Sequence, residues 1–176
     1  NTDQYTSFVG ANNYEIGLAA GNYAANYLPP NAIILEIWGL TQTSPAQERH
    51  KGFVDALRER EDLSFRKIEG QWLVDTARME LRKLEHPEQI DFVYAHNDMM
   101  AIAAREYFMA WDSIRGRELR IIGVDAVAGA GLEAVEDGRI NASFLYPTGG
   151  EQVIRTAMRI IQGEPVDKFI PLRTAP

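Results

Sequence analysis

The chain contains no cysteine. Disulfides and thiolate metal sites are therefore excluded, while the redox compartment stays open, since a cysteine-free chain suits oxidising and reducing surroundings alike. Histidine is nearly as scarce: only His50, His86 and His96 occur, and their spacing fits no metal-ligand pattern. Positive charge is in deficit, with 18 Lys and Arg against 25 Asp and Glu and a net charge of −7 at pH 7. Nucleic acid is then an unsuitable partner for this segment, because phosphate binding draws on clustered Lys and Arg. No apolar run approaches the roughly 20 residues of a membrane-spanning helix. Gly-x-Gly-x-x-Gly, the phosphate loop, Gly-x-Ser-x-Gly and His-Glu-x-x-His are all missing. Without a nucleophile and base in a recognisable pairing, catalysis is not expected, and neither is a cofactor or a metal.

What is present is ordinary globular material: 176 residues, 45% hydrophobic and 24% charged, enough for one well-buried domain and too few for two complete ones. There is no internal repeat. A strand follows Asn1–Tyr5 directly and no initiator Met precedes it, so the sequence reads as a fragment or processed piece of something larger.

Strand-like and helix-like patterns alternate. Strands are expected over 6–10, 32–38, 64–70, 91–95, 119–124, 140–145 and 168–172, and helices over 14–28, 45–60, 73–84, 98–111, 131–136 and 151–162. The 32–38 run is apolar nearly throughout, as a parallel strand covered on both faces should be. Pro29-Pro30 stops the first helix; Ser44 is the expected N-cap of the second, with Pro45 at its first position and Glu48 near enough to reinforce the cap. Arg58 and Arg60 alternate with Glu59 and Glu61, the pattern of a solvated helix face. The alternation implies βαβ units and a three-layer, doubly wound, mostly parallel α/β sheet with helices on both faces. In such a sheet ligands bind outside the carboxyl ends of the strands.

Polar residues at those ends are the candidates. Arg49 lies one turn into its helix, with a rigid five-donor fork suited to adjacent hydroxyls or a carboxylate; a surface ion pair with Glu48 or Asp55 is the plainer option. Trp72, in a strand-end loop, offers a face for stacking on a sugar ring, or plugs the seam between loop and helix. Of Asn97 and Asp98, Asp98 is the better helix cap, which frees Asn97 to present a donor and an acceptor to a ligand, while His96 reads as a loop residue. Asp125 ends a strand and can accept two bonds from vicinal hydroxyls, or serve as a turn residue. Tyr146, before Pro147, adds a hydroxyl or a ring face, or packs at a hinge.

Several stretches are similar to the type I periplasmic binding superfamily, which includes ribose-binding protein and the effector domains of lac-repressor-like regulators. They are Gly10-Ala11-Asn12-Asn13, the Arg49-x-x-Gly52-Phe53 motif after Ser44-Pro45, Asn97-Asp98-Met99-Met100-Ala101, Ile122-Gly123-Val124-Asp125, Glu136-Asp137-Gly138 and Gln162-Gly163-Glu164-Pro165. The resemblance implies that Arg49, Asn97 and Asp125 hydrogen-bond sugar hydroxyls, that Trp72 stacks on the ring, and that Tyr146 stands where the family often has a polar hinge residue. Asn12-Asn13-Tyr14-Glu15-Ile16-Gly17 and Tyr146-Pro147-Thr148-Gly149-Gly150 look most like the periplasmic sugar sensors of hybrid two-component systems. That likeness implies non-catalytic binding of a fructose- or ribose-like monosaccharide in a cleft between two lobes. It also implies a periplasmic location and a histidine kinase in the same polypeptide. A lac-repressor-type regulator, which would be cytoplasmic, and a transporter's sugar-binding component stay open, as does a homodimer. Residues 12–146 would be the second lobe, and 1–11 with 147–176 remnants of a first lobe whose larger part is missing. Apolar surface at Val153, Ala157, Ile160 and Ile161 is then expected to be exposed.

Overall fold

The structure, a computed structural model, describes residues 4–115 and 119–173. Residues 1–3 and 174–176, the ends of the expected first-lobe remnants, lie outside the described residues. The chain divides into two compact units, a larger one spanning Asn13–Leu145 and a smaller one made from the residues on either side of it.

The larger unit is built on five parallel strands, β2 (Ile33–Trp38), β3 (Ser64–Glu69), β4 (Phe92–Ala95), β5 (Arg120–Asp125) and β6 (Ala142–Leu145), in the order β3-β2-β4-β5-β6. Helices α1 (Asn13–Ala25) and α2 (Ser44–Ala56) cover one face; α3 (Val74–Leu81), α4 (Asp98–Arg115) and α5 (Gly131–Glu136) pack on the other. The expected doubly wound α/β sheet is what forms. Strand order reverses between β2 and β4, so their carboxyl ends splay into the crevice where such sheets take ligands.

Both faces of the central strands are buried, which explains their apolar runs. Leu35, Ile37, Val93, Ala95 and Ile121 meet Ala77, Leu81, Met100, Ala104 and Phe108 on one side. On the other, Phe53 of α2 stacks on Tyr94 at 4.3 Å between ring centres. Helices α1 and α2 touch backbone to backbone: a Cβ at Gly17 would collide with the Arg49 carbonyl, and one at Gly52 with the Tyr14 carbonyl. The glycine of Arg49-x-x-Gly52 thus lets α2 sit close to α1, and that contact sets the depth of Arg49.

Element ends differ from expectation by local bonding. Helix α1 stops at Ala25 because Asn26 and Tyr27 bond back three residues, tightening the last turn. Thr43, not Ser44, is the residue before α2, and its hydroxyl donates to the Leu40 carbonyl instead of capping. Helix α2 ends at Ala56, so Arg60 is not on a helix face; its guanidinium holds Asp62 and the carbonyls of Leu28 and Pro29.

In the smaller unit β1 (Phe8–Ala11) pairs in parallel with β7 (Phe169–Leu172), and Phe8 stacks on Phe169 at 5.8 Å. Helix α6 (Gly150–Ile161) follows Gly149, which adopts φ 65° at the helix entry. Val153, Ile154, Ala157, Met158, Ile160 and Ile161 are exposed along it.

Candidate ligand-binding site

Arg49 is 4% exposed and runs from α2 toward the strand ends. Its Nε donates to Asn13 Oδ1 at 2.9 Å and its Nη1 donates to the backbone carbonyl of His96. Nη2 lies 3.9 Å from Asp125 Oδ1, and the guanidinium carbon is 5.4 Å from the centre of the Trp72 ring. One cation therefore gathers groups from α1, the ends of β4 and β5, and the loop after β3. The ion pair with Asp55 does not form, because Lys51 and Tyr14 take that carboxylate.

Trp72 is half-buried in the turn between β3 and α3, where Gln71 (φ 54°) and Trp72 (φ 69°) are both left-handed. Its indole lies against Gly39, where a Cβ would collide with the ring. Strain in consecutive non-glycine residues persists only where surroundings enforce it, and ligand clamps are a common place for it.

The cap assignment is corrected. Asn97, not Asp98, caps α4: its Oδ1 accepts the Met100 N–H at 2.9 Å, while its Nδ2 donates to the Trp72 carbonyl at 3.1 Å. Asn97 is buried and ties the Trp72 loop to the start of α4. The Asp98 carboxylate instead reaches the Ala126 N–H (2.8 Å) and the Ser143 hydroxyl (2.6 Å). Both donors come from far along the chain, at the end of β5 and on β6, which is why adjacency alone misled.

Asp125 ends β5 with φ 119° and precedes Ala126 at φ 50°. Burial pushes its carboxyl up, and the Arg49 cation partly offsets that push. Arg49, Trp72, Asn97 and Asp125 thus meet within the larger unit, whereas Tyr146 belongs to the smaller one.

Three functional neighbours escaped the sequence reading. Asn13 orients Arg49. His96 is fully buried, and its ring lies 5.2 Å from that of Trp38. Glu36 is buried in β2 and accepts hydrogen bonds from His50 Nδ1 (2.8 Å) and His96 Nε2 (2.9 Å). The signal was available: a lone carboxylate inside an apolar strand must have partners, since an unpaired buried charge is too costly to keep. Among the described residues no three His, Asp or Glu side chains gather as metal ligands.

A guanidinium and a carboxylate side by side, with a carboxamide and an indole face nearby, can hold adjacent hydroxyls on a small ring that has one apolar face.

The chain is similar to curated proteins in sequence and to solved structures in fold. The ribose import binding protein of Escherichia coli (strain K12) is 27% identical over 178 residues, covering 96% of this chain and 57% of that protein. The D-ribose/D-allose-binding protein of Pseudomonas aeruginosa is 28% identical over 165 residues, covering 89% and 49%. The chain thus spans about half the length of the curated relatives it matches. Among solved structures, the fructose-binding periplasmic domain of a hybrid two-component system superposes with TM-score 0.87 at 38% identity, over 98% of this chain and 58% of that one. A Mycobacterium smegmatis protein in complex with β-D-fucofuranose gives TM-score 0.85 at 28% identity, over 98% and 59%. The model of the periplasmic binding protein domain matches residues 1–165, and the chain belongs to that family.

Proposed function

We propose that this chain is part of a non-catalytic sugar-binding domain in which Arg49, Asp125 and the amide proton that Asn97 keeps beside its bond to Trp72 hydrogen-bond ring hydroxyls, and Trp72 stacks on the sugar. The convergence of Arg49 from α2, the Trp72 loop after β3, and Asn97 and Asp125 from the ends of β4 and β5 carries the reading. Residues 12–146 form the ligand-holding second lobe, and residues 1–11 and 147–176 belong to a first lobe completed elsewhere in the polypeptide. Sugar favours a closed arrangement by binding it better than the open one. The likeness to a fructose-binding two-component domain supports a periplasmic sensor that signals to a kinase in the same polypeptide, with a fructose-like monosaccharide as ligand. The import-protein relatives support a second reading, the binding component of a transporter.

Calorimetry of the full-length protein with D-fructose, D-ribose and D-allose tests this. Arg49→Ala, Asn97→Ala and Asp125→Ala should each weaken binding by about 1–3 kcal/mol, the cost of polar groups left unpaired in a closed site. Unchanged affinity in all three, or no binding of any sugar, would sink the assignment.

A further inference from the structure

We propose that Asp98 is a positioning residue of this site, presetting Asp125 by clamping the left-handed turn that carries it. What Asp125 does for a ligand rests on the sugar-site reading above; the clamp itself stands on geometry.

Asp125 and Ala126 are consecutive non-glycine residues in left-handed backbone, a conformation that relaxes unless something holds it. Asp98 supplies the hold. The Ala126 N–H donates to Asp98 Oδ2 at 2.8 Å and lies 2.9 Å from Ser143 Oγ, whose own hydroxyl donates to Asp98 Oδ1 at 2.6 Å. Each carboxylate oxygen thus receives one donor, from the end of β5 and from β6, and bonds to an ionised acceptor are the strong ones. The chain around it is cut to fit: a Cβ at Gly123 or at Gly131 would collide with the Asp98 carboxylate, so β5 and the start of α5 close directly on it. Asp98 also sits in the first turn of α4, where the helix dipole favours negative charge.

The charged groups that act on Asp98 are Asp125 at the end of β5 and Arg49 from α2; Ser143 of β6 and Gly131 of α5 are uncharged. Burial raises the Asp98 carboxyl to about 6, Asp125 adds to the rise, and the two donors and Arg49 oppose it. Protonation turns one carboxylate oxygen from acceptor into donor. On Oδ1 that proton goes to Ser143 Oγ and reverses the bond, while the Ala126 N–H is left with a neutral acceptor in place of a carboxylate, and the hold on the turn weakens.

The test follows amide exchange in this chain and D-fructose affinity in the full-length protein, for the native sequence, Asp98→Asn and Ser143→Ala. The second variant removes a donor to Asp98 and an acceptor beside the Ala126 N–H, and serves where Asp98→Asn fails to fold. Protection of the Ala126 amide should fall roughly tenfold in each variant, the equivalent of one charge-assisted bond, while Ile122 in the middle of β5 keeps its protection. In the native protein Ala126 protection and D-fructose affinity should both drop as pH falls through about 6; in Asp98→Asn affinity should be lower and flat over that range. Ala126 protection unchanged by both variants would overturn the clamp even if sugar affinity fell. Loss of Ala126 protection in a protein that binds none of the three sugars would uphold the clamp and remove the sugar reading.

Discussion

His96 Nε2 donates to Glu36 Oε1 at 2.9 Å in a layer closed to solvent, and the same His96 offers its backbone carbonyl to the Arg49 guanidinium. The Gly39 N–H donates to His96 Nδ1 at 3.3 Å, which assigns the proton to Nε2. The buried carboxylate thereby fixes the ring, and the residue whose ring is fixed holds the site's cation. Glu36 is the post on which Arg49 is mounted.

Removing that post should be costly. Glu36→Ala is expected to lower the unfolding free energy by about 3–5 kcal/mol, as for one partner removed from a buried pair. Glu36→Gln still accepts from His96 and should lose about 1–2 kcal/mol. Urea unfolding at neutral pH measures both; equal losses would assign the effect to the lost negative charge alone and overturn the expected order of the two variants.

Acid should destabilise the fold through the same group. Burial pushes the Glu36 carboxyl up, but the bonds from His50 and His96 outweigh this and hold it at about 2, against an ordinary 4.5. Between those values the folded form binds fewer protons than the unfolded form, so the stabilisation is complete above pH 4.5 and is lost as pH falls toward 2. His96, which burial lowers from 6.5, acts in the same direction below that pH. Asp98 opposes them: its raised carboxyl stabilises the fold fully below 3.8, and that contribution disappears as pH rises through about 6. The Glu36 share amounts to about 3 kcal/mol. Unfolding free energy should therefore fall more steeply below pH 4.5 in the native protein than in Glu36→Gln. Parallel curves for the two would refute the linkage.

Gly52→Ala should press α2 away from α1, because the new methyl meets the Tyr14 carbonyl. A loss of about 1–3 kcal/mol is expected, the range for overpacking a filled contact. Arg49 rides on the same turn, so sugar affinity should fall with stability. Unaltered thermal unfolding in the variant would show that the contact gives way freely.

Trp72 should report ligand directly. D-fructose should change the intrinsic fluorescence of the full-length protein, and Trp72→Phe should abolish most of that change while a ring remains to stack on. Affinity in that variant should fall less than in Trp72→Ala, where about 1–3 kcal/mol of stacking and desolvation is removed. A fluorescence response that survives Trp72→Phe would place the ligand elsewhere.

The apolar run on α6 should betray itself in this chain taken alone. Ile154 and Ile161 are 66% and 78% exposed, with Val153 and Met158 beside them. A dye that reports exposed apolar surface should bind, and Ile154→Lys with Ile161→Lys should reduce its signal severalfold. A dye-silent monomer by sedimentation would count against an uncovered face.

Local pattern determined most of the architecture. Alternating apolar runs and three-four periodicities require only near neighbours, so the order of strands and helices and the parallel sheet were legible from composition and spacing. The candidate residues were legible as types at strand ends, because a doubly wound sheet opens there. What the sequence left undecided were choices made by distant partners. Position alone favoured Asp98 as the cap, but Ala126 and Ser143, 28 and 45 positions along the chain, drew it away and left the cap to Asn97. Glu36 and His96 sit 60 positions apart. No periodicity encodes that pairing; only the parallel register of β2 against β4 brings the carboxylate and the imidazole to one buried face, where neither can remain without the other.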